Sequence, residues 1–184
     1  MRTIIPIAEN PVLRKKAHAL SERDIASREI KTLIAEMRDL LSKEEYGVAL
    51  AAPQVGESVR LFVVSGDATR RRSARYKDAD GSAAITDQVF INPEIVKMSR
   101  TKKDKHEGCL SIRGKWGMVP RAEKVTLRYT DEKGETKERG ASGLLAHIFQ
   151  HEMDHLNGVC FIDRVTDTKK LLGRGEYIKF AYKK

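Results

Sequence analysis

Two histidines four residues apart, with a glutamate directly after the first, are the residues of this sequence most suited to chemistry. They are His151 and His155, in the run His151-Glu152-Met153-Asp154-His155. In an α-helix, positions four apart are rotated by about 40° and separated by about 6 Å along the axis, so both imidazoles leave the same face. This spacing is typical of metal-dependent hydrolases, in which the intervening glutamate exchanges protons with water at the metal. The alternative is a pair of helical histidines beside surface acids.

A hydrolytic metal site also needs a third protein ligand and an open fourth position. No histidine follows His155, so the candidate that remains is upstream, at Cys109. A thiolate donor suits Fe2+ or Zn2+. The second cysteine, Cys160, lies in the apolar run Val159-Cys160-Phe161-Ile162 and is predicted to be a core residue. A disulfide between the two cysteines is the alternative, but such bonds are rare in a reducing compartment.

The segment that carries the two histidines has the strongest helix signal of the chain. Apolar residues recur on nearly all its sides, which predicts a buried central helix over 142–156. Ser142 is its predicted N-cap, and Asn157-Gly158 is its predicted end. Burying an unpartnered polar group costs about 1 to 3 kcal/mol, so imidazoles and a carboxylate inside such a helix favour metal ligation over coincidence.

The remaining elements must position these groups. A second, amphipathic helix is predicted from Ile25 to about Lys43, with Ser27 as its candidate N-cap, and Asp131–Gly134 is a predicted hairpin turn before a polar strand. The Gly-rich segment His106–Pro120 is predicted to be irregular, and 66–82 to be an exposed, mobile loop. Apolar and β-branched runs predict strands at 60–64, 88–91, 94–98 and 124–129. This pattern indicates an α+β fold, with small antiparallel or mixed sheets packed around the buried helix.

Composition sets the wider limits. The 184 residues carry 35 Lys+Arg against 26 Asp+Glu, a formal charge of +9, and 40% are hydrophobic, which predicts a single domain over 1–184. Collagen, a fully disordered chain and a disulfide scaffold are excluded. No apolar run reaches the roughly 18 to 20 residues of a membrane span, and the start lacks a signal peptide, so we expect a cytoplasmic protein without membrane contact. Basic residues concentrate at 97–105 and in a tail at 164–184, where seven Lys/Arg face two acids.

Three motifs resemble, in order and spacing, the signature motifs of peptide deformylases. They are Gly47-Val48-Ala49-Leu50-Ala51-Ala52-Pro53-Gln54, Glu107-Gly108-Cys109-Leu110-Ser111 and Gln150-His151-Glu152-Met153-Asp154-His155-Leu156. Shorter similarities at 10–14, 91–93 and 119–121 extend the resemblance over nearly the whole chain. Three ordered motifs are far more specific than the histidine pair alone.

The resemblance implies an enzyme that removes the N-formyl group from the N-terminal methionine of newly synthesised bacterial polypeptides and releases formate. It implies one metal ion per chain, held by Cys109, His151 and His155. Fe2+ is the expected ion, and Zn2+, Ni2+ or Co2+ can substitute for it in such a ligand set.

Catalytic roles follow from the same resemblance. Glu152 is the implied general base, and the side-chain amide of Gln54 and the backbone N–H of Leu110 are the implied donors to the oxyanion. Glu107 and Arg121 are implied to form a buried pair that braces the cysteine loop. A surface ion pair of little energetic value is the alternative for these two.

Substrate contacts are implied mainly along the first motif, where the family lays its substrate as an added strand. The implied substrate-binding residues are Gly47, Val48, Ala49, Leu50, Trp116 and His147. Val48 and His147 fall where the family lines its methionine pocket, and for His147 support of the ligands and plain packing stay open. Two positions depart from the family pattern: Ala49 replaces a usual glycine, and Trp116 stands where many members have arginine or another residue.

Two other functions compete with this one. A zinc metallopeptidase would need a third ligand other than Cys109, and a catalytically impaired, deformylase-like basic binding protein is kept open by Ala49 and Trp116. The basic tail suggests weak association with the ribosome, although a solvated terminus is the simpler interpretation. Sequence-specific nucleic-acid binding is not expected.

Overall fold

The structure is a computed structural model that describes residues 2–66, 87–166 and 171–173. Nearly all of the predicted loop at 66–82, and most of the basic tail at 164–184, lie outside these residues. The extent of the domain, 1–184, stays a prediction.

Helices α1, α2 and α3 span Glu22–Ala26, Arg28–Ser42 and Gly143–Leu156. The predicted cap of α2 is confirmed, because the Ser27 hydroxyl accepts the N–H of Ile30 at 3.2 Å. The capping role predicted for Ser142 is wrong, since its side chain makes no cap hydrogen bond. Ser142 is the last residue of a strand, and α3 begins directly after it at Gly143, whose φ is +56°.

Two sheets account for the strands of the described residues. The larger has the order β1-β2-β3-β6-β7 and the smaller the order β4-β5-β8, and every named pair is antiparallel. The strands β1 to β8 are Ala49–Ala51, Leu61–Val64, Gln88–Met98, Lys102–Cys109, Ile112–Ala122, Lys124–Thr130, Thr136–Ser142 and Leu172–Gly173. The predicted α+β class is therefore confirmed.

The prediction of an irregular segment at His106–Pro120 is wrong. These residues belong to a hairpin of β4 and β5, in register from Lys102 opposite Ala122 to Cys109 opposite Ile112. The alternation typical of half-buried strands was not recognisable in the sequence because each strand has a charged residue at a buried position, Glu107 in β4 and Arg121 in β5. The two strands predicted at 88–98 are likewise one strand, β3, with register shifts on either side of Glu94.

The core explains why the central strands are apolar on both faces. In β2 and β3, Phe62, Val64 and Phe90 pack against α3, whereas their neighbours pack against α2. The latter are Leu61, Val63, Val89 and Ile91. The sheet is thus covered on both faces, and α3 is the buried central helix that the sequence predicts. The Phe90 ring lies 4.9 Å from that of Phe149 and fixes α3 against the sheet.

Candidate active site

The end of β4 and one face of α3 meet at the three predicted ligands. Cys109, His151 and His155 each offer a donor atom, and these atoms all lie within 4.8 Å of one another. The Cys109 Sγ is 3.3 Å from the His155 Nε2. A register shift between Glu107 and Cys109 ends the regular pairing of the hairpin just where the thiol turns toward the helix. One thiolate and two imidazoles at this separation fit a single divalent cation.

The His151 ring is oriented from behind. Its Nδ1 lies 3.0 Å from the Glu107 carboxylate, which leaves its other nitrogen for a metal. Burial raises the pKa of Glu107, but the hydrogen bonds from Arg121 and the histidines outweigh it and hold that pKa well below its usual range. Arg121 donates to both carboxylate oxygens of Glu107, at 2.7 and 2.9 Å, and both side chains are buried. Glu107 and Arg121 therefore form the buried ion pair that the resemblance implies, and not an ion pair at the surface.

The charge network extends further than the sequence indicates. Arg121 also donates to Asp154 at 2.6 Å, and Asp154 receives two more bonds from Arg164, at 2.5 and 2.6 Å. No role was assigned to Asp154 or Arg164 from the sequence. The sequence could have indicated such a network, because Asp154 lies inside an otherwise buried helix and a buried charge requires a partner of opposite charge.

Gln150 is a further residue whose role was not predicted from the sequence. Its side-chain amide accepts from the N–H of Ala122 and donates to the carbonyl of Ala122, both at 2.9 Å. It thereby docks α3 onto the end of β5, close to the ligand-bearing turn of the helix. A polar side chain in a helix that is predicted to be buried needs hydrogen-bond partners, and this requirement could have indicated a docking role for Gln150.

Glu152 is buried beside the two histidines. Its side chain is 3% exposed, and its Oε2 has no hydrogen-bond partner among the described residues. Burial raises its pKa to about 7. A carboxylate that is buried without a partner, next to a cluster of metal donors, is suited to taking up and returning a proton.

The two predicted oxyanion donors both lie next to the cysteine. The Gln54 Oε1 accepts from the N–H of Ala51 at 2.8 Å, and its Nε2 donates to the Cys109 Sγ at 3.4 Å. The amide NH2 group therefore faces the three predicted ligands, Cys109, His151 and His155, which we call the ligand cluster. Leu110 directly follows Cys109 in the β4–β5 turn, and its side chain packs against the α2 side of the core.

The first motif forms an edge of the larger sheet. Ala49 and Leu50 are buried in β1, which pairs with β2, while Val48 is half-buried against the α3 side of the core. Gly47 precedes them in a tight place, because an added Cβ would lie 2.8 Å from the Glu44 Cβ. The methyl group of Ala49 is accommodated in this packing.

Trp116 and His147 lie beside the ligands in different ways. The Trp116 indole covers Gly108, where an added Cβ would lie 2.6 Å from the indole nitrogen. The His147 Nδ1 lies 3.5 Å from the Glu107 carboxylate, and its Nε2 has no partner among the described residues. The structure brings His147 to the group that supports His151.

Cys160 does not join the ligand cluster. It is fully buried with Ile112 and Phe161, and its Sγ is 4.0 Å from the His155 Nδ1. Burial raises the pKa of this thiol to about 12, so it stays protonated. Both cysteines are free, and the alternative of a disulfide is excluded.

A cysteine sulfur and two imidazoles beside a buried carboxylate, on an α+β scaffold, are the groups typical of a metal-dependent hydrolase. A family model described as polypeptide deformylase matches residues 1–171. The chain therefore belongs to the polypeptide deformylase family.

Individual relatives agree with this assignment. A peptide deformylase of Leptospira biflexa is 36% identical over 183 residues, which cover 100% of this chain and 97% of the relative. One of Prochlorococcus marinus is 45% identical over 125 residues, 68% of this chain and 56% of the relative. The Met-Ala-Ser-bound crystal structure of a peptide deformylase from Acinetobacter baumannii has a TM-score of 0.74 at 34% identity, and covers 90% of this chain and 100% of that one.

These findings favour a deformylase over a metallopeptidase or an impaired binding protein. In the part of the chain that the structure describes, no helix is both long and apolar enough to cross a membrane.

Proposed function

We propose that this chain removes the N-formyl group from the N-terminal methionine of newly made polypeptides and releases formate, using the site of Cys109, His151 and His155. The observation that carries the proposal is the convergence of these three donors beside the unpartnered carboxylate of Glu152. Support comes from the family membership and from the Met-Ala-Ser ligand of the A. baumannii structure, which is a deformylated peptide.

The donor set suits a resident metal ion, and we propose Fe2+, one per chain, with Zn2+, Ni2+ or Co2+ as substitutes. Burial lowers the pKa of His155, which keeps its ring in the neutral form that binds metals. When bound, the ion lowers the pKa of a water and withdraws electron density from the formyl oxygen.

The residues around the ion divide the remaining work. Glu152 accepts a proton from the attacking water and passes it to the leaving amine, for which a pKa near 7 is well matched. The Gln54 amide nitrogen carries two hydrogens, of which one is directed at Cys109, so the other is available to the formyl oxygen. The N–H of Leu110 is the second donor that we assign to the oxyanion.

The substrate backbone is assigned to the edge of β1. This strand pairs with β2 on one side and is terminal in the order of the larger sheet. A peptide can therefore add as a further strand along Gly47 to Leu50, with its formyl end at the ligand cluster. Val48 and His147 are proposed to contact the methionine side chain, and Trp116 the residues beyond it.

Formate release tests the activity. Protein purified without oxygen should release formate from formyl-Met-Ala-Ser, and Glu152→Ala should lower kcat by about 10²- to 10⁴-fold because it removes the general base. Glu45→Ala, at an exposed position, is the matched control and should keep the wild-type rate. No release by metal-loaded protein would overturn the function, and full release by Glu152→Ala would overturn the mechanism.

Metal content tests the ligand assignment. Cys109→Ser should lose its metal during dialysis, whereas Cys160→Ser, the same change at the second cysteine, should retain one ion per chain. Retention of metal by Cys109→Ser would instead point to a site built without the thiolate.

We propose that the chain acts in the cytoplasm, because that is where new polypeptides, its proposed substrates, are made.

We further propose weak association with the ribosome through the basic tail at 164–184, which has seven Lys/Arg and two acidic residues. Co-sedimentation with ribosomes should weaken on deletion of 168–184. Unchanged co-sedimentation would remove this proposal without affecting catalysis.

A further inference from the structure

The amino-terminal segment crosses both loops that supply the proposed oxyanion donors. Residues 2–13 form this segment, which we call the strap. The N–H of Ile5 donates to the Gln54 carbonyl, and the N–H of Ile7 donates to the Ser111 carbonyl, each at 2.9 Å. Gln54 carries one proposed donor, and Ser111 directly follows Leu110, which carries the other.

The strap is fastened on both sides of these two bonds. Before them, Arg2 forms ion pairs with Glu36 of α2 and with Glu57, which follows the Gln54 loop. After them, the buried Asn10 donates to the Pro53 carbonyl at 2.8 Å. The segment is therefore a built part of the site and is held at several points.

Its side chains also join separate parts of the core. Ile4 packs against the cluster between α2 and the larger sheet, and Ile7 packs against the smaller cluster around Phe161. Leu110 contacts the first of these clusters and Cys109 the second. The strap thus contacts the same two hydrophobic clusters as the loop that carries Cys109 and Leu110.

Between its two N–H donors, the strap has a fixed length. Pro6 lies between Ile5 and Ile7, with φ −58° and ψ 144°. This is the polyproline conformation, which rises by about 3 Å per residue, so the two donors are held about 6 Å apart. Proline locks its own φ and disfavours the helical conformation for the preceding residue, Ile5, so the segment stays extended at this point.

We propose that the strap sets the separation of the two oxyanion donors, and that Ile5 and Ile7 are positioning residues for the reaction. The inference rests on the proposed function. The two donor loops come from different sheets, and Gln54 contacts Cys109 directly at 3.4 Å. The two strap bonds are shorter and fix the carbonyls of Gln54 and Ser111 to one rigid segment.

Proline substitutions test this by removing one N–H at a time. Ile5→Pro should lower kcat about tenfold or more with little change in KM, because a donor displaced by an ångström loses most of its effect in the transition state. The visible spectrum of the cobalt-loaded variant should stay that of the wild type, since Gln54 is not a proposed ligand. A general loss of structure would change both.

Ile7→Pro should give a different signature. Its bond holds the loop that carries Cys109, so kcat should fall and cobalt should also be lost to a chelator about 10- to 100-fold more readily. Glu132→Pro is the matched control, because Glu132 is exposed in the turn Asp131–Gly134, outside the strap, and its N–H makes no hydrogen bond among the described residues. It should behave as the wild type in both assays.

A milder variant covers the case in which a proline variant does not fold. Pro6→Gly keeps both N–H donors and both isoleucine side chains but frees the segment between them, and should lower kcat about threefold with cobalt binding unchanged. Wild-type kcat in Pro6→Gly and in whichever proline variant folds would overturn the role of the strap. Absence of formate release from the wild type would overturn the proposed function, and this role with it.

Discussion

The carboxylate of Glu107 joins the ligand cluster to the charges behind it. It contacts His151 at 3.0 Å and is held in turn by two bonds from Arg121. Because Asp154 and Glu107 share Arg121, opposite charges alternate from the exposed Arg164 through the buried Asp154 and Arg121 to Glu107. Such a chain fixes the orientation of the imidazole before any ligand arrives.

We therefore expect Glu107→Gln to weaken metal binding by about 10- to 100-fold while the fold is retained. The amide has the size of the carboxylate but carries no charge, so it supports both Arg121 and His151 less well. Chelator competition with the zinc-loaded protein measures the effect. Glu138→Gln removes an equivalent charge from the exposed pair with Arg128 and should leave the affinity unchanged. Equal affinities in both variants would contradict the role of Glu107.

The two cysteines should differ sharply in reactivity. Cys160 is fully buried with a pKa of about 12, whereas Cys109 is half-buried in the site. Since the thiolate is the reactive form, a thiol reagent should modify one cysteine in the folded, chelator-treated protein and two after unfolding. Folded Cys109→Ser should show almost no reaction over the same time. Rapid modification of Cys160 in that variant would contradict its assignment to the core.

At the level of elements, the two serines before α2 and α3 have different roles. Ser27 accepts the N–H of Ile30, while Ser142 makes no cap bond. Ser27→Ala should therefore lower the free energy of unfolding by about 1 kcal/mol, and Ser142→Ala should change it by less than about 0.5 kcal/mol. Urea unfolding of the two variants compares the same chemical change at two helix starts. A larger loss for Ser142→Ala would mean that its hydroxyl has a partner in solution.

These elements also show how far the sequence could predict the fold. The two long helices and the strands β2, β3 and β6 were predicted because their apolar residues follow a helical period or form short apolar, β-branched runs, and β7 was predicted from the turn before it. The short strand β1 was not predicted. The β4–β5 hairpin was missed because Glu107 and Arg121 occupy its buried positions, which is a consequence of the site itself. The ligand residues were recognisable from their types and spacing. The network through Asp154 and Arg164 was not, because those partners are distant in sequence and meet only in the fold.

For the molecule as a whole, the ligand cluster lies where two parts with separate hydrophobic clusters meet: α3 with the larger sheet, and the hairpin of the smaller sheet. His151 and His155 belong to α3, which is fixed to the larger sheet through Phe149 and its neighbours. Cys109 belongs to the hairpin of the smaller sheet, which has its own cluster around Phe161. A metal held by all three residues would therefore link these two parts of the protein as well as supply the chemistry proposed above.

This linkage makes global stability depend on metal. A ligand that binds only the native state adds about 2.7 kcal/mol at 100 times its Kd, which for a chain of this size corresponds to a rise in Tm of about 5 to 10 °C. Calorimetry of zinc-loaded and chelator-treated protein should show this difference. Cys109→Ser should abolish most of the zinc-dependent rise, because its metal would be held by α3 alone, whereas His18→Asn, at an exposed position, should preserve it. A full zinc-dependent rise in Cys109→Ser would show that the ion does not join the hairpin to the helix.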